Sequence, residues 1–352
     1  MNLPDLRKKI DLLDQKLVAL LNARAEVSKA VGQYKAEHQC SIYSPARERA
    51  VYERIKRLNK GPMSNEAFEA VYREIMSSSL ALEKKLKIAY FGNEGSFTHL
   101  AANKKFGTMV GYAPYASIFE VFTAVEHEEC DYGVVPIENS VEGAVTHTFD
   151  LLADSELKIC SQTMLKISQN LLSKAVDIKS IKKIYSHPQV FGQCRIWLYK
   201  NMSYAEQITV GSTTEAAQYA LKDKHAAAIG SQFLGELQGL NVLCPNIQDI
   251  AHNTTRFLVI ANEDAPATGR DRTSILFSIK DNVGALHAML TPFSKNKINM
   301  TKIESRPSKR KAWEYLFFVD FEGHREDAKV KKALSQLEAM CNYLKILGSY
   351  PA

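Results

Sequence analysis

The stretch that decides the fold is GALHAMLTPFSKNKINMTKIESRP, residues 284–307, in which two short motifs lie 20 residues apart. The motifs are Gly284-Ala285-Leu286-His287 and Glu304-Ser305-Arg306-Pro307. The order of elements around them predicts an α+β domain over residues 272–352, after a polar linker at residues 262–269. The predicted elements are strand Thr273–Lys280, helix Ala285–Ser294, strand Asn299–Ser305, strand Trp313–Phe321, helix Asp327–Cys341 and strand Tyr343–Leu347.

The composition is that of a chain able to bury large apolar cores. It has 352 residues, of which 45% are hydrophobic. This length is compatible with two or three domains, and we predict three, at residues 1–85, 86–263 and 272–352. The sequence has no run of 18 apolar residues, and Met1–Asp5 leads into a charged amphipathic segment. We therefore predict a cytosolic protein that does not bind a membrane.

The cysteines and the charge argue against several classes of protein. The cysteines are scattered singly, without the spacing of a zinc site or of a disulfide framework, and we expect them to be reduced. The net charge of +6 is modest, and Lys309-Arg310-Lys311 is its one dense block. Nucleic-acid binding therefore receives little support, whereas small dianionic substrates suit this charge. The cysteines are Cys40, Cys130, Cys160, Cys194, Cys244 and Cys341.

Residues 1–85 have the pattern of helices that carry cations on an apolar face. Apolar residues recur every three or four positions from Leu6, which predicts one helix to about Ala36. At about 100° per residue, Arg24 and Lys35 project within roughly 20° of Leu17, inside the apolar stripe. One such cation is more often explained by snorkelling at the edge of the stripe. Two on the same line favour an anionic ligand.

Arg7 precedes Arg24 by 17 residues, which is about 25 Å along a helix. One small ligand cannot contact both side chains, so if both bind the same ligand, Arg7 must come from a second subunit. A second helix should begin after Ser44 as N-cap, with Pro45 at its first position. A third should begin near Ser64 and carry Ser79 and Glu83 on or beside its apolar stripe.

Residues 86–263 alternate between strand and helix patterns, which predicts an α/β domain with parallel sheets. The loop Gly92–Ser96 precedes a helix that begins near Thr98, a combination suited to an anion, although its glycine spacing is not a dinucleotide fingerprint. The other predicted elements are strand Lys87–Phe91, strand Tyr132–Pro136, helix Val141–Ala153, strand Leu165–Leu172 and strand Ile184–Ser186.

These segments resemble the bifunctional chorismate mutase/prephenate dehydratase family. The motifs at 284–287 and 304–307 resemble the phenylalanine-sensing half of a ferredoxin-like ACT domain, and residues 1–85 resemble an all-α chorismate mutase. The resemblance implies that the middle domain has two lobes and a periplasmic-binding-protein-like fold. The segments that resemble prephenate dehydratases are Gly95–His99, Val135–Gly143, Ser186–Gln189, Gln193–Arg195, Ser212–Ala217 and Thr255–Phe257.

The mutase resemblance implies a pericyclic rearrangement of chorismate to prephenate that needs no metal or other cofactor. Positioning and electrostatics suffice for such a reaction. The implied roles are two carboxylates held by Arg7, Arg24 and Arg47, the hydroxyl held by Glu48, the ether oxygen held by Lys35 and Glu83, and a pocket contact from Ser79. Glu83 stands where some relatives have glutamine, so it must be protonated to donate a hydrogen bond. Ser44 stands where an aspartate is common.

The dehydratase resemblance gives Thr255 the central role, as a hydrogen-bond donor to the departing C4 hydroxyl of prephenate. Arg256 is either a carboxylate clamp or part of a scaffold ion pair. His187 is either an acid or a structural histidine, and Phe257 fits the core better than catalysis. The candidate prephenate-binding residues are Ser96, Thr98, Asn139, Ser140, Ser186, His187, Gln189 and Phe257.

The sensor resemblance implies a phenylalanine site at an interface between two subunits, in a homodimer or homotetramer. The fold alone favours no ligand, because a plain structural domain would have the same periodicity. Two other functions stay open: an arogenate dehydratase, and an amino-acid-binding regulator with vestigial catalytic domains. The candidate phenylalanine-binding residues are Asn282, Gly284, Ala285, Leu286, His287, Glu304, Ser305, Arg306 and Pro307.

Overall fold

A computed structural model of the chain describes residues 2–38, 40–279, 283–307 and 315–352. The chain divides into two compact units, one of residues 1–87 with 105–111 and the other of residues 88–104 with 112–352. In these described ranges, no helix is both long and apolar enough to cross a membrane. The candidate residue Asn282 and the predicted strand start at Trp313 lie outside the described residues.

The first unit is built from helices whose starts follow the predicted caps. Ser44 Oγ accepts a hydrogen bond from the Arg47 amide, and Ser64 Oγ accepts one from the Ala67 amide. Each cap satisfies an amide that the helix itself leaves without a partner. The helices are α1 (Leu3–Glu37), α2 (Pro45–Leu58) and α3 (Asn65–Glu83).

Helix α1 packs on α3 near its C-terminal end, where Gly32 is buried. A Cβ at Gly32 would lie 2.9 Å from Cγ of Glu83. Only a glycine lets the two helices approach this closely, and the approach sets Lys35, one turn further along α1, beside Glu83. Much of the apolar stripe of α1 is exposed in the single chain, for example at Leu13 and Leu20, which are 63% and 69% accessible.

The second unit contains two mixed sheets that form two lobes. The first sheet has the order β2-β1-β3-β11-β5, with β4 paired to β3, and the second has the order β10-β6-β9-β7-β8. The strands of the first are β1 (Lys87–Phe91), β2 (Gly111–Tyr115), β3 (Tyr132–Asn139), β4 (Gly143–Ala144), β5 (Lys158–Lys166) and β11 (Thr254–Ala261). Those of the second are β6 (Asn170–Ser173), β7 (Lys183–Ser186), β8 (Glu206–Thr209), β9 (Ala226–Gly230) and β10 (Asn241–Cys244).

Helices cover these two sheets. Helix α7 begins at Pro188, directly after strand β7, with His187 as its N-cap. A short 3-10 helix, Ile178–Ser180, precedes β7. The helices are α4 (Phe97–Phe106), α5 (Ile118–Glu126), α6 (Thr146–Asp154), α7 (Pro188–Gln193), α8 (Arg195–Met202), α9 (Thr213–Lys222) and α10 (Gln232–Gln238).

A third sheet, in the order β13-β14-β12-β15, carries the predicted sensor motifs. Its core is continuous with that of the first lobe, because Leu276, Phe318 and Leu347 belong to the same buried cluster as Val135 and Leu258. The elements are β12 (Asp271–Ser278), α11 (Ala285–Lys295), β13 (Met300–Pro307), β14 (Tyr315–Glu322), α12 (Ala328–Glu338) and β15 (Tyr343–Pro351). Their order is the βαββαβ that the sequence predicts.

Three predictions for the middle segment are wrong. The predicted strand Leu165–Leu172 is two strands in different sheets, β5 and β6, because the chain passes from one lobe to the other between them. The predicted helix Val141–Ala153 begins only at Thr146, because residues 140–144 form a turn and the short strand β4. The sheets are also mixed rather than parallel, since β11 runs antiparallel to both β3 and β5.

Candidate active sites

The first unit encloses a cavity of about 560 Å³ between α1, α2, α3 and residues 105–106. Among its described lining residues, six side chains are cationic, and Glu48 and Glu83 are the carboxylates. This excess of positive charge suits a ligand with two negative charges. The cationic residues are Arg24, Lys35, Arg47, Arg54, Arg73 and Lys105.

The two cations predicted on the stripe of α1 both point into this cavity and meet residues of α3. Lys35 Nζ lies 2.8 Å from Glu83 Oε2 and also donates to the Ile42 carbonyl at 2.6 Å. Arg24 Nη1 donates to Ser79 Oγ at 2.5 Å. In this arrangement the Glu83 carboxylate is an acceptor, whereas its predicted role requires a donor.

Arg7 is exposed and is not among the described lining residues of the cavity. This position agrees with the separation of about 25 Å along α1 between Arg7 and Arg24, which keeps Arg7 away from the cavity that Arg24 lines. Tyr43 and Lys105 are among the lining residues that the sequence did not predict, and both donate to Glu48 at 2.8 Å. No local sequence signal identifies Lys105, since it lies 57 residues beyond Glu48.

A second cavity, of about 480 Å³, lies in the cleft between the two lobes of the second unit. Glu142, which follows β3 in the first lobe, accepts hydrogen bonds from Gln189 and Gln193 of the second lobe. Arg195 is the cation among the described lining residues. It falls in the segment Gln193–Arg195 that resembles a dehydratase motif, yet it was not predicted as a site residue.

Thr255 lies at the start of β11, beside Asn139 at the end of β3. The Asn139 amide orientation is fixed, because Oδ1 accepts from the backbone amides of Val141 and Glu142 at 2.9 and 3.0 Å. Its Nδ2 therefore donates, to Asn253 Oδ1 at 2.7 Å and to Thr255 Oγ1 at 2.8 Å. The Thr255 hydroxyl hydrogen consequently remains to be donated elsewhere. Asn253 lines the cavity, whereas Thr255 is not among its described lining residues.

Several other candidate residues have structural partners. Ser140 Oγ donates to the His252 carbonyl and accepts from the Thr254 amide, which ties β3 to β11. His187 Nδ1 accepts from the Gln189 amide at 3.3 Å and so caps α7, which supports a structural role for this histidine over a role as an acid. Phe257 is 2% exposed, which supports a role in the core rather than contact with a ligand.

The remaining polar candidates lie at element ends. Ser96 Oγ accepts from the His99 amide at 3.2 Å at the start of α4, and Thr98 is buried in its first turn. Ser186, at the end of β7, is buried and donates to the Ile229 carbonyl at 3.3 Å. Gln189 is exposed and lines the cleft.

Arg256 makes a buried ion pair with the third sheet. Its Nη1 lies 2.5 Å from Asp320 Oδ2, Nη2 donates to Tyr350 Oη at 2.8 Å, and Nε donates to Gln162 at 2.9 Å. Burial alone would lower the pKa of Arg256, but Tyr350 and Asp320 raise it above its usual value. All three guanidinium nitrogens have protein partners. The structure therefore supports the ion-pair alternative over a carboxylate clamp.

The described residues of the predicted sensor motifs lie at the start of α11 and on the edge strand β13. Gly284 is the N-cap of α11 in the left-handed conformation, with φ of 77°, and has open space around it. Ala285, Leu286 and His287 form the first helical turn. On β13, Arg306 Nε lies 3.6 Å from Asp150 of α6. The motif at 304–307 therefore contacts the lobe that carries Thr255.

Three consecutive parts of the chain match known protein families. Family models match for chorismate mutase type II over residues 6–84, prephenate dehydratase over residues 88–265 and the ACT domain over residues 273–339. The bifunctional chorismate mutase/prephenate dehydratase of Aquifex aeolicus is 47% identical, covering 99% of this chain and 98% of its own length. That of Pseudomonas aeruginosa is 43% identical over 98% of this chain and 96% of its own length.

A solved structure is similar over about three quarters of the chain. The prephenate dehydratase from Arthrobacter aurescens in complex with L-Phe has a TM-score of 0.70 and 32% identity, covering 76% of this chain and 90% of that chain. The fold and the two cavities define an enzyme with two catalytic domains and a regulatory domain. The chain belongs to the family of bifunctional chorismate mutase/prephenate dehydratases. It acts as an isomerase and as a carbon–oxygen lyase in phenylalanine biosynthesis.

The Arg256 ion pair gives a first prediction. In Arg256→Met, Asp320 loses its buried cationic partner, which typically costs about 3–5 kcal/mol. We expect urea unfolding of the second unit, followed by circular dichroism, to shift to lower urea while mutase activity stays unchanged. Adding Asp320→Asn to this variant should restore part of the stability. A normal unfolding curve with a raised KM for prephenate would instead indicate a substrate clamp.

Proposed function

We propose that chorismate rearranges in the cavity of the first unit and that prephenate reacts in the cleft of the second. We also propose that the chain has three domains, at residues 1–85, 86–263 and 272–352. The observation that carries the first assignment is the charge of the helical cavity, six cations against two carboxylates. Chorismate is a dianion whose rearrangement needs only positioning and stabilisation of developing negative charge. Arg24, Arg47 and Ser79 would hold the substrate, with Lys35 at the ether oxygen.

Glu83 has a second role in this proposal. It accepts from Lys35 in the structure, and it would have to take up a proton to donate to the ether oxygen beside Lys35. Glu48 would accept the substrate hydroxyl. The domain boundaries are supported by the ranges over which the three family models match.

The mutase site requires a second subunit to supply Arg7. The exposed apolar stripe of α1, which includes Leu13, Leu17 and Leu20, supports a dimer in which a second copy covers it. We place this dimer in the cytosol, a reducing compartment in which disulfides rarely form, and none of the six cysteines, all of which lie among the described residues, is in a disulfide.

The lyase reaction would take place in the cleft between the lobes. The bond from the ring to its carboxylate breaks to release carbon dioxide, and the electron pair aromatises the ring as hydroxide leaves C4. Asn139 donates to the hydroxyl oxygen of Thr255, so the hydroxyl hydrogen is left for another acceptor. Thr255 would donate this hydrogen to the departing oxygen. Arg195 would hold a carboxylate of prephenate, because it is the cation among the described residues that line this cavity.

Phenylalanine would bind at the start of α11 and on β13 and would lower dehydratase activity. Support comes from the L-Phe complex of the relative from Arthrobacter aurescens. Among the described residues, no side chain caps the start of α11 at the left-handed Gly284, so a carboxylate would be able to accept from its amides. Arg306 and Lys302 of β13 form ion pairs with Asp150 and Glu138 of the catalytic lobe, a route by which a ligand on β13 would affect the cleft.

Removal of the Thr255 hydroxyl tests the lyase site. Thr255→Val keeps the shape of the side chain, and loss of one donor in the transition state typically costs about 10²-fold or more in kcat. We expect that loss for phenylpyruvate formation from prephenate, with mutase activity unchanged, and a smaller loss for Thr255→Ser. If the valine variant retained full turnover, Thr255 would have only a packing role.

Subunit mixing tests the intertwined mutase site. Arg7→Ala and Arg24→Ala chains should each be inactive, but a heterodimer retains one complete pocket of two. Random association at equal amounts should therefore restore about a quarter of the wild-type mutase activity. The control is Arg7→Ala mixed with the Arg7→Ala, Arg24→Ala double variant, which contains no complete pocket. Absence of recovery in verified heterodimers would contradict the arrangement.

Gly284→Val tests the phenylalanine site. The added side chain blocks the approach of ligand to the helix start, so calorimetry should show weakened phenylalanine binding and dehydratase activity should resist inhibition. Gly269→Val is the matched control, because Gly269 also has a positive φ and open surroundings but lies in the linker. Unchanged binding in a folded Gly284→Val enzyme would exclude this site.

A further inference from the structure

The carboxylate of Glu48 is held by a residue that lies outside the sequence matched to chorismate mutases. Lys105 Nζ lies 2.8 Å from Glu48 Oε2, and Tyr43 Oη donates to the same oxygen at 2.8 Å. The Lys105 and Glu48 side chains are only 16% and 13% exposed. Lys105 is 21 positions beyond residue 84, where the mutase family match ends.

The segment that carries Lys105 is an integral part of the first unit. Its neighbour Phe106 is buried and packs against Tyr43, with ring centroids 4.8 Å apart. Further along, the Met109 amide donates to Ser77 Oγ at 3.0 Å, and Thr108 Oγ1 donates to Glu74 at 2.6 Å. These contacts hold residues 105–109 against α3, so Lys105 reaches the cavity from a fixed backbone.

The geometry leaves one oxygen of Glu48 for a ligand. Among the described residues, the hydrogen bonds to this carboxylate reach Oε2, from Tyr43 and Lys105. Two donors on one oxygen fix the rotation of the carboxylate, and the bond from lysine joins two opposite charges. Oε1 is then the acceptor that a substrate hydroxyl can use.

We propose that Lys105 is a positioning residue of the mutase reaction, which acts through Glu48. This inference rests on the proposed role of Glu48 as acceptor for the chorismate hydroxyl. With Tyr43, Lys105 holds the Glu48 carboxylate so that Oε1 faces the substrate. The mutase site is thus completed by a residue at the C-terminal end of α4, within the range matched to prephenate dehydratases.

A double-mutant cycle in the full-length enzyme tests this inference. Lys105→Met removes the ammonium but keeps an apolar chain of similar length, and we expect mutase kcat/KM to fall about 10- to 100-fold, as for other charge-assisted hydrogen bonds. In the Glu48→Gln background the same change should cost less than about threefold, because Lys105 acts through the carboxylate. Lys105→Arg should retain more activity than Lys105→Met.

Two controls separate this role from a structural one. Lys104→Met changes the neighbouring lysine, which donates to the Met164 carbonyl in the second unit, and should leave mutase kcat/KM unchanged. Dehydratase activity, measured in every variant, reports on folding of the second unit, and urea unfolding reports on the first. A Lys105→Met effect explained by unfolding of the first unit would overturn the inference.

The remaining outcomes are also distinct. Equal losses from Lys105→Met in the wild-type and Glu48→Gln backgrounds would overturn the inference, because Lys105 would then act without Glu48. Full activity of Glu48→Gln would refute the role proposed for Glu48, and with it this inference. Absence of mutase activity in the unmodified enzyme would refute the proposed function of the first cavity itself.

Discussion

The buried ion pair between Arg256 and Asp320 is the constraint on which the second unit depends. Arg256 belongs to β11, at the centre of the first catalytic lobe, and Asp320 belongs to β14 of the regulatory sheet. A buried charge requires a partner, and this pair has its partner only while the two sheets are packed together. Tyr350 and Ser274 complete the network, and burial with the nearby Asp320 raises the pKa of Tyr350 to about 12. The phenol therefore stays neutral, accepts from Arg256 Nη2 and shares a hydrogen bond with Ser274 Oγ.

The first unit depends on a different constraint, the close approach of α1 to α3 at Gly32. That approach sets Lys35 beside Glu83 and Arg24 beside Ser79, so the helices bring cations to the polar groups of α3. The pericyclic reaction proposed for this cavity needs no nucleophile. Its chemistry lies in the excess of positive charge and in fixed hydrogen-bond donors, which act without reorganisation when charge develops on the substrate.

The sequence was sufficient where the signal was local. Periodicity and the caps Ser44 and Ser64 predicted the helices of the first unit, and the positions of Arg24 and Lys35 on one stripe predicted a cavity lined by both. Signals that depend on distant partners were missed. The crossing between lobes after β5 is set by bonds such as that from the Ile167 amide to the Asn253 carbonyl. Asp320 lies 64 residues beyond Arg256, so no spacing in the sequence could decide the role of that arginine.

The adjacency of Thr255 and Arg256 on one strand would connect the proposed lyase site with the sheet that carries the predicted sensor motifs. Successive side chains of a strand point to opposite faces of its sheet. Thr255 therefore meets Asn139 on one side while Arg256 meets Asp320 on the other. A ligand changes activity only if its affinity differs between two arrangements of the protein. Any arrangement that displaced β14 would move Arg256, and the shared backbone of β11 would then carry the displacement to the Thr255 hydroxyl.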